Sequence, residues 1–205
     1  MRKFYFLVLL AVLCLGIGWG LSCSSGDDDD SIGDDDTGGD DAADDDSSDD
    51  DISDDDTSSD IWTDPSTGLT WQVAYAGDWI LFADAQTLCA NLSLASGGWR
   101  LPTISELRSL IRGCDATMTD GACTVTDSCL DSTCWNDPCG GCTSLAGPAS
   151  GGAYWPDGLT GVIDFYWSSS TVSDISGDAW AVDFSSAYVE DILTDESTIA
   201  VRCVR

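Results

Sequence analysis

The residues best able to do chemistry in this chain are its cysteines. Ten are present, and eight of them, Cys89, Cys114, Cys123, Cys129, Cys134, Cys139, Cys142 and Cys203, follow residue 61. Thiolates from Cys129, Cys134 and the Cys139-Gly140-Gly141-Cys142 pair could hold zinc in a tetrahedral site. An even number of cysteines in a small exported domain favours disulfides instead, because the compartment is oxidising. A redox role for Cys139 and Cys142 has little support, since the pair does not open a helix after a strand. The chain has no histidine, and its only lysine is Lys3. That removes histidine-assisted nucleophiles, histidine metal sites and Schiff-base lysines.

A second set of residues could bind rather than react. Trp135-Asn136-Asp137 places amide and carboxylate oxygens side by side, a donor set that suits calcium. Lying between two cysteines in an aspartate-rich loop, it reads more simply as a chance tripeptide, so no cofactor is expected and calcium is the alternative. Trp155, in Trp155-Pro156-Asp157-Gly158, reads most simply as a turn with an aromatic anchor, and like Trp135 it is freer of the element patterns than Trp99, Trp167 and Trp180. Trp135 and Trp155 are therefore the side chains expected to stack on a carbohydrate, with Asn136 and Asp137 as polar contacts. Trp99, Trp167 and Trp180 fall inside element patterns and are expected in the core. Eighteen acidic residues follow Ile61 against five arginines, so nucleic acid, which needs clustered Lys and Arg, is not an expected partner.

Export is read from the N-terminus. Arg2 and Lys3 precede an apolar run, Phe4 to Trp19, that is short for a membrane span and has the pattern of a signal peptide over 1–22. Gly20-Leu21-Ser22-Cys23 then resembles a lipoprotein processing site, which makes Cys23 the expected lipidation site and the outer membrane or cell surface the expected location. Residues 23–60 carry 19 of the 37 acidic residues and almost nothing apolar, the composition of a disordered, self-repelling tether.

The elements that would position these groups follow from periodicity. Thr63-Asp64-Pro65-Ser66-Thr67-Gly68 is a turn, and Leu69 to Val73 reads as a short strand. Phe82, Ala85, Leu88 or Cys89, and Leu92 have helical spacing, with Cys89 on the apolar face. Thr103 and Glu106 have capping-box spacing, and Ile104, Leu107, Leu110 and Ile111 continue an apolar stripe that closes at Gly113. Arg108 and Arg112 would then lie at that helix's C-terminal end, where positive charge suits the dipole. From 114 to 152 periodicity gives way to a cysteine-stapled loop. Tyr166 to Ser170, Ala179 to Phe184, Ala187 to Leu193 and Ile199 to Val204 alternate as strands. Helices followed by antiparallel strands define an α+β domain over 61–205.

Taken in order, Thr67-Gly68-Leu69-Thr70-Trp71-Gln72, the cysteine-bearing helix, Trp99-Arg100-Leu101-Pro102-Thr103 with Glu106-Leu107, Tyr166-Trp167-Ser168-Ser169-Ser170, Ala179-Trp180-Ala181-Val182-Asp183-Phe184 and Val201-Arg202-Cys203-Val204-Arg205 resemble the bacterial family named for the C-terminal domain of the Legionella collagen-like surface protein (Lcl). The resemblance implies a C-type-lectin-like fold with two helices, a twisted antiparallel sheet and termini meeting in one sheet. In such folds a bridge joins the first helix to the final strand, which implies Cys89 bonded to Cys203, both on inward faces. The other six cysteines would pair among themselves, in any of 15 ways. The stretch 114–152 departs from the family pattern as a disulfide-rich insertion. Calcium-dependent lectins carry Trp-Asn-Asp ahead of a late core strand, whereas here the tripeptide lies in the insertion. Arg100 and Arg202 fall in family motifs, and ion pairs with carboxylates would explain them. The expected function is binding of an extracellular glycan or protein by a membrane-tethered head that is not an enzyme. The alternatives are a structural envelope protein without a small ligand, and an enzyme of the formylglycine-generating type.

Overall fold

The computed structural model describes residues 60–205; the signal-peptide, Cys23 and tether expectations lie outside the described residues. The chain enters on a hairpin, β1 (Ile61–Thr63) and β2 (Thr70–Gln72), paired antiparallel with Trp62 opposite Trp71. Its turn is set by Asp64, whose carboxylate accepts from the Ser66 amide at 2.9 Å and hydroxyl at 2.6 Å, an Asx-type turn closed by Gly68 at φ 74°. Two further short elements follow, β3 (Gly77–Ile80) and α1 (Phe82–Ala90). Helix α2 (Ile104–Arg108) precedes a long irregular stretch, and β4 (Phe165–Thr171), β5 (Asp178–Asp183), β6 (Tyr188–Leu193) and β7 (Ile199–Val201) complete the domain.

Five strands form one sheet in the order β3-β7-β4-β5-β6. The pairs are antiparallel except β4 with β7, which run parallel at Tyr166 and Ala200. The sheet is thus mixed rather than wholly antiparallel: β7 runs parallel to β4 on one edge and antiparallel to β3 on the other. The last residues return to the hairpin: Thr70 and Arg205 exchange backbone bonds at 3.0 Å, and the Gln72 amide donates to the Cys203 carbonyl at 3.2 Å.

Alternation along β4 and β5 divides the core between the two faces of the sheet. On one face Trp167, Ala179, Ala181 and Val201 meet Phe82, Ala85 and Cys89 of α1. On the other, Tyr166, Trp180 and Val182 meet Ile104 and Leu107 of α2 and the apolar side chains of the 114–155 stretch. Buried indoles donate to backbone carbonyls, as a polar group in an apolar setting requires: Trp99 to Leu94 at 2.6 Å, Trp167 to Ile80 at 2.8 Å and Trp180 to Leu130 at 3.0 Å. The core placement expected for these three tryptophans is what the structure has.

The capping box on α2 is present as read. Thr103 Oγ1 accepts from the Glu106 amide, and Glu106 accepts from the Thr103 amide at 2.8 Å. The helix is shorter than its apolar stripe. Regular α structure ends at Arg108, and the chain continues through tighter turns, Leu110 N to Leu107 O and Ile111 N to Arg108 O, before the Arg112 amide bonds Tyr154. Leu110 and Ile111 are still buried, so apolar spacing reported burial correctly and helix length wrongly. Arg108, the last residue of regular helix, turns its side chain inside instead of standing at a solvated helix end.

Candidate functional site

All eight cysteines of the domain are paired. Cys89 bonds Cys203, and the rest close as Cys114–Cys142, Cys123–Cys139 and Cys129–Cys134. This bears out the Cys89–Cys203 bridge and the pairing of the other six among themselves, but β7 ends at Val201, so the bridge reaches the segment just past the final strand instead of the strand itself. Cys129, Asp131 and Cys134 are the one group of three such ligands close enough for a metal among the described residues, but the two sulfurs are bonded to each other. Disulfide sulfur is not a thiolate, so the zinc chemistry does not arise there.

The insertion is welded to the domain rather than hung from it. Arg108 is 1% exposed, and its guanidinium donates to the carbonyls of Thr117 at 3.0 Å, Met118 at 2.8 Å and Val125. Burial lowers its pKa, and no carboxylate offsets that. Asp127 reaches back to α2, accepting from Thr103 Oγ1 at 2.8 Å and the Ser105 amide at 3.1 Å. Negative charge at a helix N-terminus is favourable. Gly141 lets the insertion cross the β5–β6 turn, since a Cβ there would lie 2.4 Å from the Ser186 carbonyl. The Gly-Gly between Cys139 and Cys142 is therefore a close-approach device.

Both expected stacking residues take structural roles in this arrangement. Trp155 is 3% exposed and packs between Tyr166 and Phe184, with the Arg202 guanidinium 5.3 Å from its ring. It has no open face for a sugar, because the turn that carries it dips into the core. Trp135 is half-buried and donates its indole N–H to the Val189 carbonyl at 2.8 Å, with Tyr188 against its edge. It seats the insertion on β6. Asn136 turns its amide onto the Ala122 carbonyl at 3.0 Å, and Asp137 begins an exposed turn before Pro138.

Each of the five arginines in the domain is committed. Arg100 and Glu106 form a two-pronged ion pair at 2.6 Å. Burial alone would raise the Glu106 carboxyl, but the bonds from Arg100 and from the Thr103 amide together hold it below the usual range. Arg112 meets buried Asp64 at 3.4 Å and the Ser109 carbonyl at 2.6 Å. Arg205 bonds the Ala95 carbonyl and lies over Trp99. Arg202 departs from the expected ion pair. It is fully buried and donates to the carbonyls of Gln72, Val73 and Thr160, between the rings of Trp155 and Tyr166. Burial lowers the Arg202 pKa and pushes the Tyr166 phenol up to about 12.

The carboxylates carry one identifiable strain. Burial, then the negative charges of Asp191 and Asp195, raise the Asp178 carboxyl above its usual value. The folded chain thus holds this proton more tightly than the unfolded one. The resulting stabilisation is complete below the unfolded pKa and is lost as pH rises through the folded value. Asp178→Asn should therefore raise the melting temperature at pH 7 by on the order of 2 °C, and the gain should vanish near pH 3. Melts across that range are the check, and a variant equally or less stable at pH 7 contradicts the assignment.

One aromatic escapes the core. Trp79 is 66% exposed, more than any other large apolar residue described. Its φ is 57°, a left-handed conformation that costs a non-glycine residue about 1–2 kcal/mol. The cause lies in β3: between its pairs with β7 it takes three residue steps, Gly77 to Ile80, against two from Val201 to Ile199. The extra residue is a bulge, which re-aims the side chain it carries. Beside the indole is a cleft of about 50 Å3 lined by Val162, Ile199 and Ala200, which are buried or half-buried, and by the exposed Asp78 and Asp164. Asp164 also accepts from the Phe165 amide at 2.7 Å, which fixes one of its oxygens. Sequence reasoning passed over Trp79; the signal was a tryptophan between Asp78 and the start of α1 that belongs to no apolar period. A second cleft, lined by Ser66, Thr67, Ser109, Ile111, Arg112 and Asp120, is larger at about 440 Å3, but its one cation is already paired with Asp64.

The fold and its sites define a disulfide-closed α+β domain with a mixed five-stranded sheet, a helix on each face and a stapled insertion. A sequence profile described as the Lcl C-terminal domain matches residues 60–205. This chain belongs to that family. No curated protein matches it. Among the described residues no helix is long and apolar enough to cross a membrane.

Proposed function

We propose that this chain is an exported lipoprotein, anchored through Cys23 and held off the membrane by its aspartate-rich segment, whose head binds an extracellular glycan. The single observation that carries the exported part of this reading is the closure of all eight head cysteines into four disulfides. Such a head matures in an oxidising compartment, which agrees with the signal-peptide pattern and the cysteine after Ser22. The same closure leaves no thiol for the cysteine chemistry of a formylglycine-generating enzyme, and the head has neither histidine nor lysine. A C-type-lectin-like fold is part of the proposal. It is supported by the bridge from α1 to the end of the chain and by the pairing of Thr70 with Arg205. Calcium is not required by the reading.

The test has two arms. Wild-type chain should fractionate with membranes and be cleaved by protease added to intact cells, while Cys23→Ser should be released in soluble form with its head folded. Full-length chain applied to a glycan array and to envelope extracts, with and without a chelator, should retain at least one glycan. Wholly soluble periplasmic wild-type protein would overturn the anchoring. Retention of nothing in either format would favour a structural envelope protein instead.

A further inference from the structure

We infer that the cleft beside Trp79 is the ligand site and that it takes the apolar face of an uncharged sugar ring. The inference rests on the binding function proposed above and names the site and ligand class for it. Of the eight tryptophans described, seven are buried or half-buried in packing, and Trp79 alone stands mostly in solvent. A hydrophobic side chain exposed in a strained backbone conformation is not explained by folding, because both exposure and strain work against stability. An exposed indole beside a small cleft with polar groups in its lining is, by contrast, what ligand sites use.

The chemistry of the cleft selects the occupant. At about 50 Å3 it can seat a substituent such as a hydroxymethyl group but not a ring, so a ring has to lie on the indole. The aliphatic lining of Val162, Ile199 and Ala200 suits carbon-bound hydrogens. The exposed Asp78 and Asp164 are acceptors for hydroxyl donors and repel carboxylate or sulfate. No arginine lines the cleft, and all five in the head are engaged elsewhere. A lysine side chain from a protein partner would also find a ring and carboxylates here. Its ammonium, however, gains nothing from the aliphatic Val162, Ile199 and Ala200, whereas the carbon-bound hydrogens of a sugar do.

The test uses full-length chain and saturation-transfer NMR with four neutral oligosaccharides, built of β-glucose, mannose, galactose and N-acetylglucosamine, alongside an oligogalacturonate and a lysine-rich peptide. At least one neutral oligosaccharide should bind, and Trp79→Ala should weaken it at least tenfold without lowering the melting temperature. Trp79→Phe, which keeps a smaller ring, should retain part of the affinity, and Asp164→Asn, which keeps an acceptor oxygen, should lose less than Trp79→Ala. Neutral-sugar binding unaffected by Trp79→Ala overturns the site while leaving the binding function intact. Capture of only the oligogalacturonate or only the lysine peptide overturns the ligand class, and no binding to any probe overturns both site and class. Retention on the broader array and envelope extracts reads the parent proposal separately.

Discussion

Removing the Cys89–Cys203 bridge, as Cys89→Ala with Cys203→Ala, is expected to destabilise the head by roughly 4–5 kcal/mol. The bridge spans 114 residues of sequence, and closing a loop of that length restricts the unfolded chain by about that amount in the chain-entropy model. Domains of this size are stable by only about 5–15 kcal/mol in total, so the variant should melt far below the wild type and populate the unfolded state at 37 °C. The Cys129–Cys134 bridge spans five residues, and the same model gives it only about 2 kcal/mol. Urea unfolding of both double variants measures the contrast. Equal losses for the two would show that loop length does not govern their contributions.

Arg202→Met is expected to cost about 3–5 kcal/mol, although methionine is apolar and near in length. The guanidinium is what the carbonyls of Gln72, Val73 and Thr160 point toward. Without it three buried acceptors face a thioether. The rings of Trp155 and Tyr166 lose a cation at 5.3 and 5.5 Å in the same step. Arg202→Lys should fall between, because one ammonium cannot reach all three carbonyls in the geometry of a planar fork. Urea unfolding is again the measurement. A neutral Arg202→Met would mean that desolvating the guanidinium cancels its hydrogen bonds.

What the sequence disclosed and what it hid divide along physical lines. Strands β4, β5 and β6 and the capping box were legible because alternation and local hydrogen-bonding chemistry are written in consecutive residues. The Cys89–Cys203 bridge followed from family resemblance. The three pairings inside the insertion had no such guide, since they depend on how a stretch without periodicity folds back on itself. Arg202 was misread, and the burial of Arg108 at its helix end was missed, for a related reason. A buried arginine is normally assigned to a carboxylate, whereas here carbonyls from distant loops serve, and nothing local announces them. Of the two readings of Trp155, sugar platform and aromatic anchor of a turn, the second is what the structure has, since a turn can carry an aromatic into a core. Trp79 went unnoticed because exposure produced by a bulge has no periodic signature.

The hairpin at the entry to the domain also fixes how the molecule would respond to pulling. Under the proposed anchoring and ligand site, tension would enter at Asp60 and leave at Trp79, 19 residues later, so it would be borne by β1, β2 and β3 and by their bonds to the chain end, such as Ala76 N to Val201 O at 2.7 Å. Peeling that stretch would release a length of at most about 65 Å. The Cys89–Cys203 bridge lies outside the loaded covalent path, so the chain it closes would not be drawn out even where Val201 and the cleft residues share the load. The entry strands would act as an extensible shock absorber ahead of a covalently locked body, yielding under flow at the cost of drawing Trp71 out of the core and re-forming when the load falls.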